Sequence, residues 1–154
     1  MKTPLLIISL ASLLLTAGGC KKKNETVEAV IAPCTAPAAQ VNIAKSLIVG
    51  DWKWVKTEIT QRSGKRIDTP ASTGTTMKLS FKSDGSMAYL VNTDIQQARS
   101  YDVTPFQSGV IVLTYLDDSG TETEKYDMRV CQSVLELNNV KSSVAEVLFF
   151  EKIK

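Results

Sequence analysis

Met77-Lys78-Leu79-Ser80-Phe81-Lys82-Ser83-Asp84-Gly85-Ser86-Met87-Ala88-Tyr89-Leu90-Val91 reads as two short strands around a tight turn. Met77, Leu79 and Phe81 alternate with Lys78, Ser80 and Lys82, and successive side chains of a strand point to opposite faces. Met87, Tyr89 and Val91 repeat the alternation after the turn. Asp84-Gly85 joins the pair because glycine accepts the positive φ that a hairpin turn demands.

The same pattern extends in both directions. Apolar or alternating runs at 48–61, 75–82, 86–91, 95–103, 110–116, 121–130, 133–139 and 145–153 predict eight strands. Asp117-Asp118-Ser119-Gly120 and Cys131-Gln132 supply turns, and Pro105 ends the fourth run. The polar stretch 62–74, with Pro70 inside it, predicts a long loop. Ahead of the first strand, Val41, Ala44, Leu47 and Ile48 fall near helical spacing and predict one or two helical turns.

Eight short strands joined mostly by tight turns imply an antiparallel meander, since a parallel crossover needs about a dozen residues. Closure into a small up-and-down barrel hides both edges and leaves an interior that side chains fill or one small ligand occupies. A two-sheet sandwich is the alternative. The inward set expected to line any cavity is Met77, Leu79, Phe81, Tyr89, Tyr101, Tyr126, Met128, Leu135 and Phe149.

The start of the chain has a different grammar. Lys2, an apolar run over 5–15 and the small residues Ala17, Gly18 and Gly19 form the three parts of a secretory signal. The run is too short to span a bilayer. Ala17-Gly18-Gly19-Cys20 resembles the lipobox of bacterial lipoproteins, with Ala17 where that motif usually has leucine. The resemblance implies cleavage before Cys20 and acylation of its thiol. Each buried methylene of such a lipid contributes about 0.8 kcal/mol to membrane retention.

The expected organisation is therefore a signal peptide at 1–19, a lipidated tether at 20–46 and a β-barrel domain at 47–154. The mild basicity of the chain, net +2, belongs to the tether; residues 47–154 carry 13 basic and 14 acidic side chains. No basic face for nucleic acid follows from that balance. Lys21-Lys22-Lys23 would lie beside lipid headgroups, and reads chiefly as a solvated tether. Acidic residues after the cysteine resemble surface-export signals of some Bacteroidetes lipoproteins, and these are basic. The expected location is the cell envelope, lipid-anchored in the outer membrane, with the leaflet open.

Leu47-Ile48-Val49-Gly50-Asp51-Trp52-Lys53-Trp54 resembles the Gly-X-Trp opening of lipocalins and of lipocalin-like bacterial lipoproteins, the Bacteroidetes type among them. The resemblance extends in outline over 47–154. It implies that Gly50 and Trp52 form the closed floor of the barrel, with a basic residue over the tryptophan. Arg129, Lys152 and Lys154 are the candidates for that residue.

With Cys20 acylated, Cys34 and Cys131 remain as a pair in an oxidising compartment. A disulfide between them is favoured over two free thiols. The chain has no histidine, which removes the commonest general base and metal ligand. Asp117, Asp118, Glu122 and Glu124 could offer oxygens to calcium but lack the spacing of a known loop, and a solvated hairpin tip is the favoured reading. No phosphate loop or serine elbow appears. The expected function is non-catalytic, with no metal and no cofactor. The protein would bind a small apolar ligand in the barrel or a partner at its rim; the alternative is an inhibitor or envelope assembly factor acting through the 61–74 loop.

Overall fold

The chain was examined as a computed structural model, which describes residue 31, residues 33–140 and residues 142–154. The leader, Cys20 and the Lys21-Lys22-Lys23 run lie outside the described residues.

Helix α1 (Val41–Ile48) precedes strand β1 (Gly50–Gln61). After them come β2 (Gly64–Asp68), the short helix α2 (Pro70–Thr73), β3 (Met77–Phe81), β4 (Ser86–Val91) and β5 (Asp94–Pro105). The chain ends with β6 (Ile111–Leu116), β7 (Glu122–Val130), β8 (Val134–Asn139) and β9 (Ala145–Lys152). β1 and β3 to β9 pair antiparallel in sequence order, and β9 returns to pair with β1. Eight strands thus close a barrel, and the sandwich is excluded.

One element departs from expectation. Residues 62–74 are structured: β2 folds back on the second half of β1, pairing Gln61 with Gly64 and Thr57 with Asp68. β2 lies outside the barrel, because β3 takes the first part of the same β1 edge, from Gly50 to Lys53. Pro70 starts helix α2 instead of merely interrupting pairing; it has no N–H to lose at the first helical position. Thr69 and Ser72 exchange side-chain and backbone hydrogen bonds as a capping box.

α1 closes one end. Its Ala44 and Ile48 are fully buried and join the barrel core with Trp52, Phe81, Val103 and Val130. Lys45 on its solvent side pairs with Asp102 of β5 at 3.1 Å. The indole of Trp52 donates to the Ile48 carbonyl at 2.6 Å, so the helix end and the barrel floor satisfy each other.

The segment before α1 straps the outside of the barrel. Cys34 is bonded to Cys131 with Cα atoms 5.7 Å apart, across 97 residues of sequence. The Ala38 amide donates to the Val130 carbonyl at 3.0 Å. Under the strap lies Glu136, 7% exposed, which accepts the Cys34 amide at 3.2 Å and pairs with Arg129, also at 3.2 Å.

Candidate binding cavity

Inward residues of the strands near α1 pack solidly, whereas those toward the opposite end leave a cavity of about 260 Å³. Met77, Leu79, Met87, Leu137, Leu148 and Phe150 form its apolar walls. Arg99, Glu124, Tyr89, Tyr115 and Tyr126 form its polar side. Pairing places these groups together: Tyr115 of β6 lies opposite Glu124 of β7, and Arg99 of β5 lies opposite Met87 of β4.

Arg99 Nη1 donates to Glu124 Oε1 at 2.7 Å and to Thr123 Oγ1 at 3.1 Å. The Tyr126 hydroxyl donates to Glu124 Oε2 at 2.5 Å, and the Tyr89 hydroxyl to Met77 Sδ at 3.1 Å. Tyr115 is 6% exposed, its ring tilted against Tyr126 at 5.4 Å. The Arg99 guanidinium stands 6.0 Å from the centroid of the Tyr115 ring. Burial pushes the Tyr115 phenol well above its ordinary range, and Tyr126 and Glu124 push it further the same way. Burial raises Tyr126 too, with the hydrogen bond to Glu124 second. At neutral pH the polar side thus presents one ion pair and three protonated phenols.

Of the nine residues expected to line a cavity, Met77, Leu79, Tyr89 and Tyr126 do so. Phe81, Met128 and Leu135 are buried in the packed core instead. Tyr101 sits at the closed end, edge-on to Phe81 at 5.0 Å, and its hydroxyl donates to the Lys82 carbonyl at 2.7 Å. Phe149 must be corrected: it faces outward, where Lys56 Nζ lies 4.8 Å from its ring centroid, while Phe150 is 1% exposed in the core. The run Val147-Leu148-Phe149-Phe150 is apolar on both faces, so alternation could not assign its parity.

Sequence reasoning missed Arg99 and saw Glu124 only in a solvated turn. Both are charged residues that point into a barrel, and their meeting depends on pairing across two hairpins. The signal available was the alternation of β5, which puts Arg99, Tyr101 and Val103 on one face. Arg129 and Lys154 do not cover Trp52; Lys152 does, with Nζ 5.0 Å from the ring centroid. Among the described residues no three acidic, cysteine or histidine side chains gather as a metal site would need. Asp117 instead holds its own turn, accepting from Ser119 and Thr121 backbone amides at 2.9 Å.

No protein-family profile, curated protein or solved structure matches the chain.

Proposed function

We propose that the protein is a non-catalytic, lipid-anchored component of the bacterial cell envelope that holds a small, mostly apolar ligand in its barrel. The observation that carries this reading is the cavity itself. Close packing is the rule for protein interiors, and voids larger than a water are few. Here about 260 Å³ stays open among three methionine or aromatic walls and a self-satisfied polar side. An engineered apolar void of about 150 Å³ is enough to admit benzene.

The lipobox-like Ala17-Gly18-Gly19-Cys20 and the lipocalin-like Gly50-Asp51-Trp52 support the anchor and the class of carrier, each as a resemblance. The resemblance to a fold does not by itself choose a ligand. Native mass spectrometry of the full chain extracted from its own cells tests the reading. A retained small molecule, lost on unfolding, is the expected result; an empty protein in every preparation overturns it.

A second reading rests on one observation. The β1–β2 hairpin stands outside the barrel with its tip ordered by pairing, and Ile67 on it is exposed. That shape suits an inhibitor or assembly factor that engages another envelope protein.

A further inference from the structure

The inference concerns which ligand chemistry the cavity selects, and it rests on the ligand-binding reading above. Three features of the polar side narrow the choice. The first is charge balance. Arg99 is 14% exposed and already neutralised by Glu124 at 2.7 Å. An anionic ligand would have to sit beside Glu124 or displace it, and Glu146 is close enough to Tyr126 to add negative field. A cationic ligand would meet Arg99. Burying a charge without a partner is costly, so neither is favoured.

The second feature is a hydrogen-bond donor with nothing to donate to. Two of the three phenols in the cavity are engaged, Tyr126 with Glu124 and Tyr89 with Met77. The Tyr115 hydroxyl makes no hydrogen bond among the described residues, although Tyr115 is 94% buried. A buried hydroxyl in that condition costs about 1–3 kcal/mol. An acceptor supplied by a ligand would recover it. The third feature is size: scaling from benzene in about 150 Å³, the cavity suits on the order of ten heavy atoms.

We propose that the cavity selects neutral apolar molecules of roughly one or two fused rings that carry a single hydrogen-bond acceptor, a carbonyl or an ether, and that Tyr115 is the residue that reads the acceptor. The apolar body lies against Met77, Met87 and Phe150. Selection against the bare hydrocarbon comes from the unmade Tyr115 hydrogen bond, and selection against the acid from the Glu124 carboxylate.

Three probes of nearly equal volume separate these effects: tetralin, α-tetralone and tetralin carboxylate. The full chain in lipid nanodiscs, labelled with carbon-13 at the methionine methyls, is titrated with each, with protein-free nanodiscs as the blank for partitioning. Met77 and Met87 line the cavity and report occupancy; Met128 is buried outside it and reports that the fold is intact.

Saturation by α-tetralone at about tenfold lower concentration than by tetralin is expected, with the carboxylate weakest. Tyr115→Phe keeps the ring and removes the donor, so it brings the ketone and the hydrocarbon to parity without weakening tetralin. Equal binding of ketone and hydrocarbon by the unsubstituted protein, an unchanged preference in Tyr115→Phe, or tightest binding of the carboxylate each overturns the proposal while leaving a ligand-binding barrel. If none of the probes moves the Met77 or Met87 signals, the ligand-binding reading falls with it.

Discussion

Lys152 and Trp52 face each other across the first and last strands of the barrel, the ammonium 5.0 Å from the indole centroid. Lys152 also donates to the Leu47 carbonyl at 2.8 Å, at the end of α1. One side chain therefore joins the closing seam of the barrel to the helix that plugs it. Burial holds the Lys152 pKa below its ordinary value, so the ammonium is retained against a desolvation cost. Lys152→Met keeps the stem and removes the charge and the donor. A loss of about 1–2 kcal/mol is expected from the cation–π contact and the hydrogen bond together, measured as a lower urea midpoint at unchanged slope.

Gly50 explains why the floor motif begins with glycine. Its φ is +126°, and a Cβ there would come within 3.0 Å of Lys152 Cε. Gly50→Ala should be strained even though the lysine stem can shift, because the backbone conformation is unfavourable for any residue with a Cβ. A destabilisation of about 1–3 kcal/mol is expected, and denaturant unfolding of the double variant Gly50→Ala, Lys152→Met should recover part of it if the clash contributes.

The adjacent pair in β9 gives a test of facing. Phe150 is in the core opposite Trp54, whereas Phe149 lies on the outer surface beside Lys56. Phe150→Ala should cost about 3–5 kcal/mol and Phe149→Ala well below half of that. Equal losses in thermal or urea unfolding would show that the facing is wrong.

That pair also marks where the sequence stops being legible. The clean alternation of β3 and β4 made their hairpin readable, and with it the meander and the barrel. Gly50-Asp51-Trp52 and the helical spacing of Val41, Ala44, Leu47 and Ile48 located the closed end. Residues 62–74 hid a strand, because Gly64-Lys65-Arg66-Ile67-Asp68 is polar and almost wholly exposed. A strand outside the barrel has no core face to leave a period in the sequence. The cavity was legible only as an apolar interior. Its polar side needs Arg99 and Glu124, 25 residues apart, to meet through two strand registers, and a bulge in each of the β4–β5 and β6–β7 pairings shifts those registers locally.

All four tyrosines have phenol pKa values raised above the ordinary 10. Burial is the largest cause in each case; Glu124 adds to it at Tyr89 and Asp84 at Tyr101. In absorbance at 295 nm the folded protein should ionise its tyrosines above pH 10, and unfolding in urea should return the midpoint to about 10. The sign for stability follows from linkage. A group whose folded pKa is raised contributes stability that is complete below the unfolded value and is lost as pH climbs toward the folded one. Urea midpoints should therefore hold up to about pH 9 and fall beyond pH 10, less steeply in Tyr115→Phe.

At the acid end the carboxylates act in the opposite sense. Lys78 and then Ser80 hold Asp51 below its ordinary pKa, and Lys56 and then Lys65 do the same for Glu58. Depressed folded-state values give stability that is present above the unfolded pKa values of 3.8 and 4.5 and drains as pH falls through the folded ones. Asp51→Asn with Glu58→Gln should flatten the urea midpoint between about pH 5 and pH 3; an unaltered acid slope would assign the loss to other groups.

The strap over β7 and β8 depends on two fastenings that can be separated. The disulfide Cys34–Cys131 closes 97 residues, and a loop of about that length contributes roughly 4–5 kcal/mol in the chain-entropy model, commonly less in practice. Glu136 is the second fastening, since its buried carboxylate takes the Cys34 amide and the Arg129 guanidinium, while Arg129 also donates to the Cys34 carbonyl at 3.0 Å. If the disulfide acts mainly on the unfolded chain, reduction should lower global stability and leave the strap docked. Amide exchange at Cys34 and Ala38 would then stay slow in the reduced protein. Glu136→Ala should do the reverse in part, speeding exchange at Cys34 while the disulfide keeps the segment tethered, at a cost of about 1–3 kcal/mol for the groups it strands. Fast exchange at both amides after reduction alone would mean that the covalent bond, and not Glu136, seats the strap.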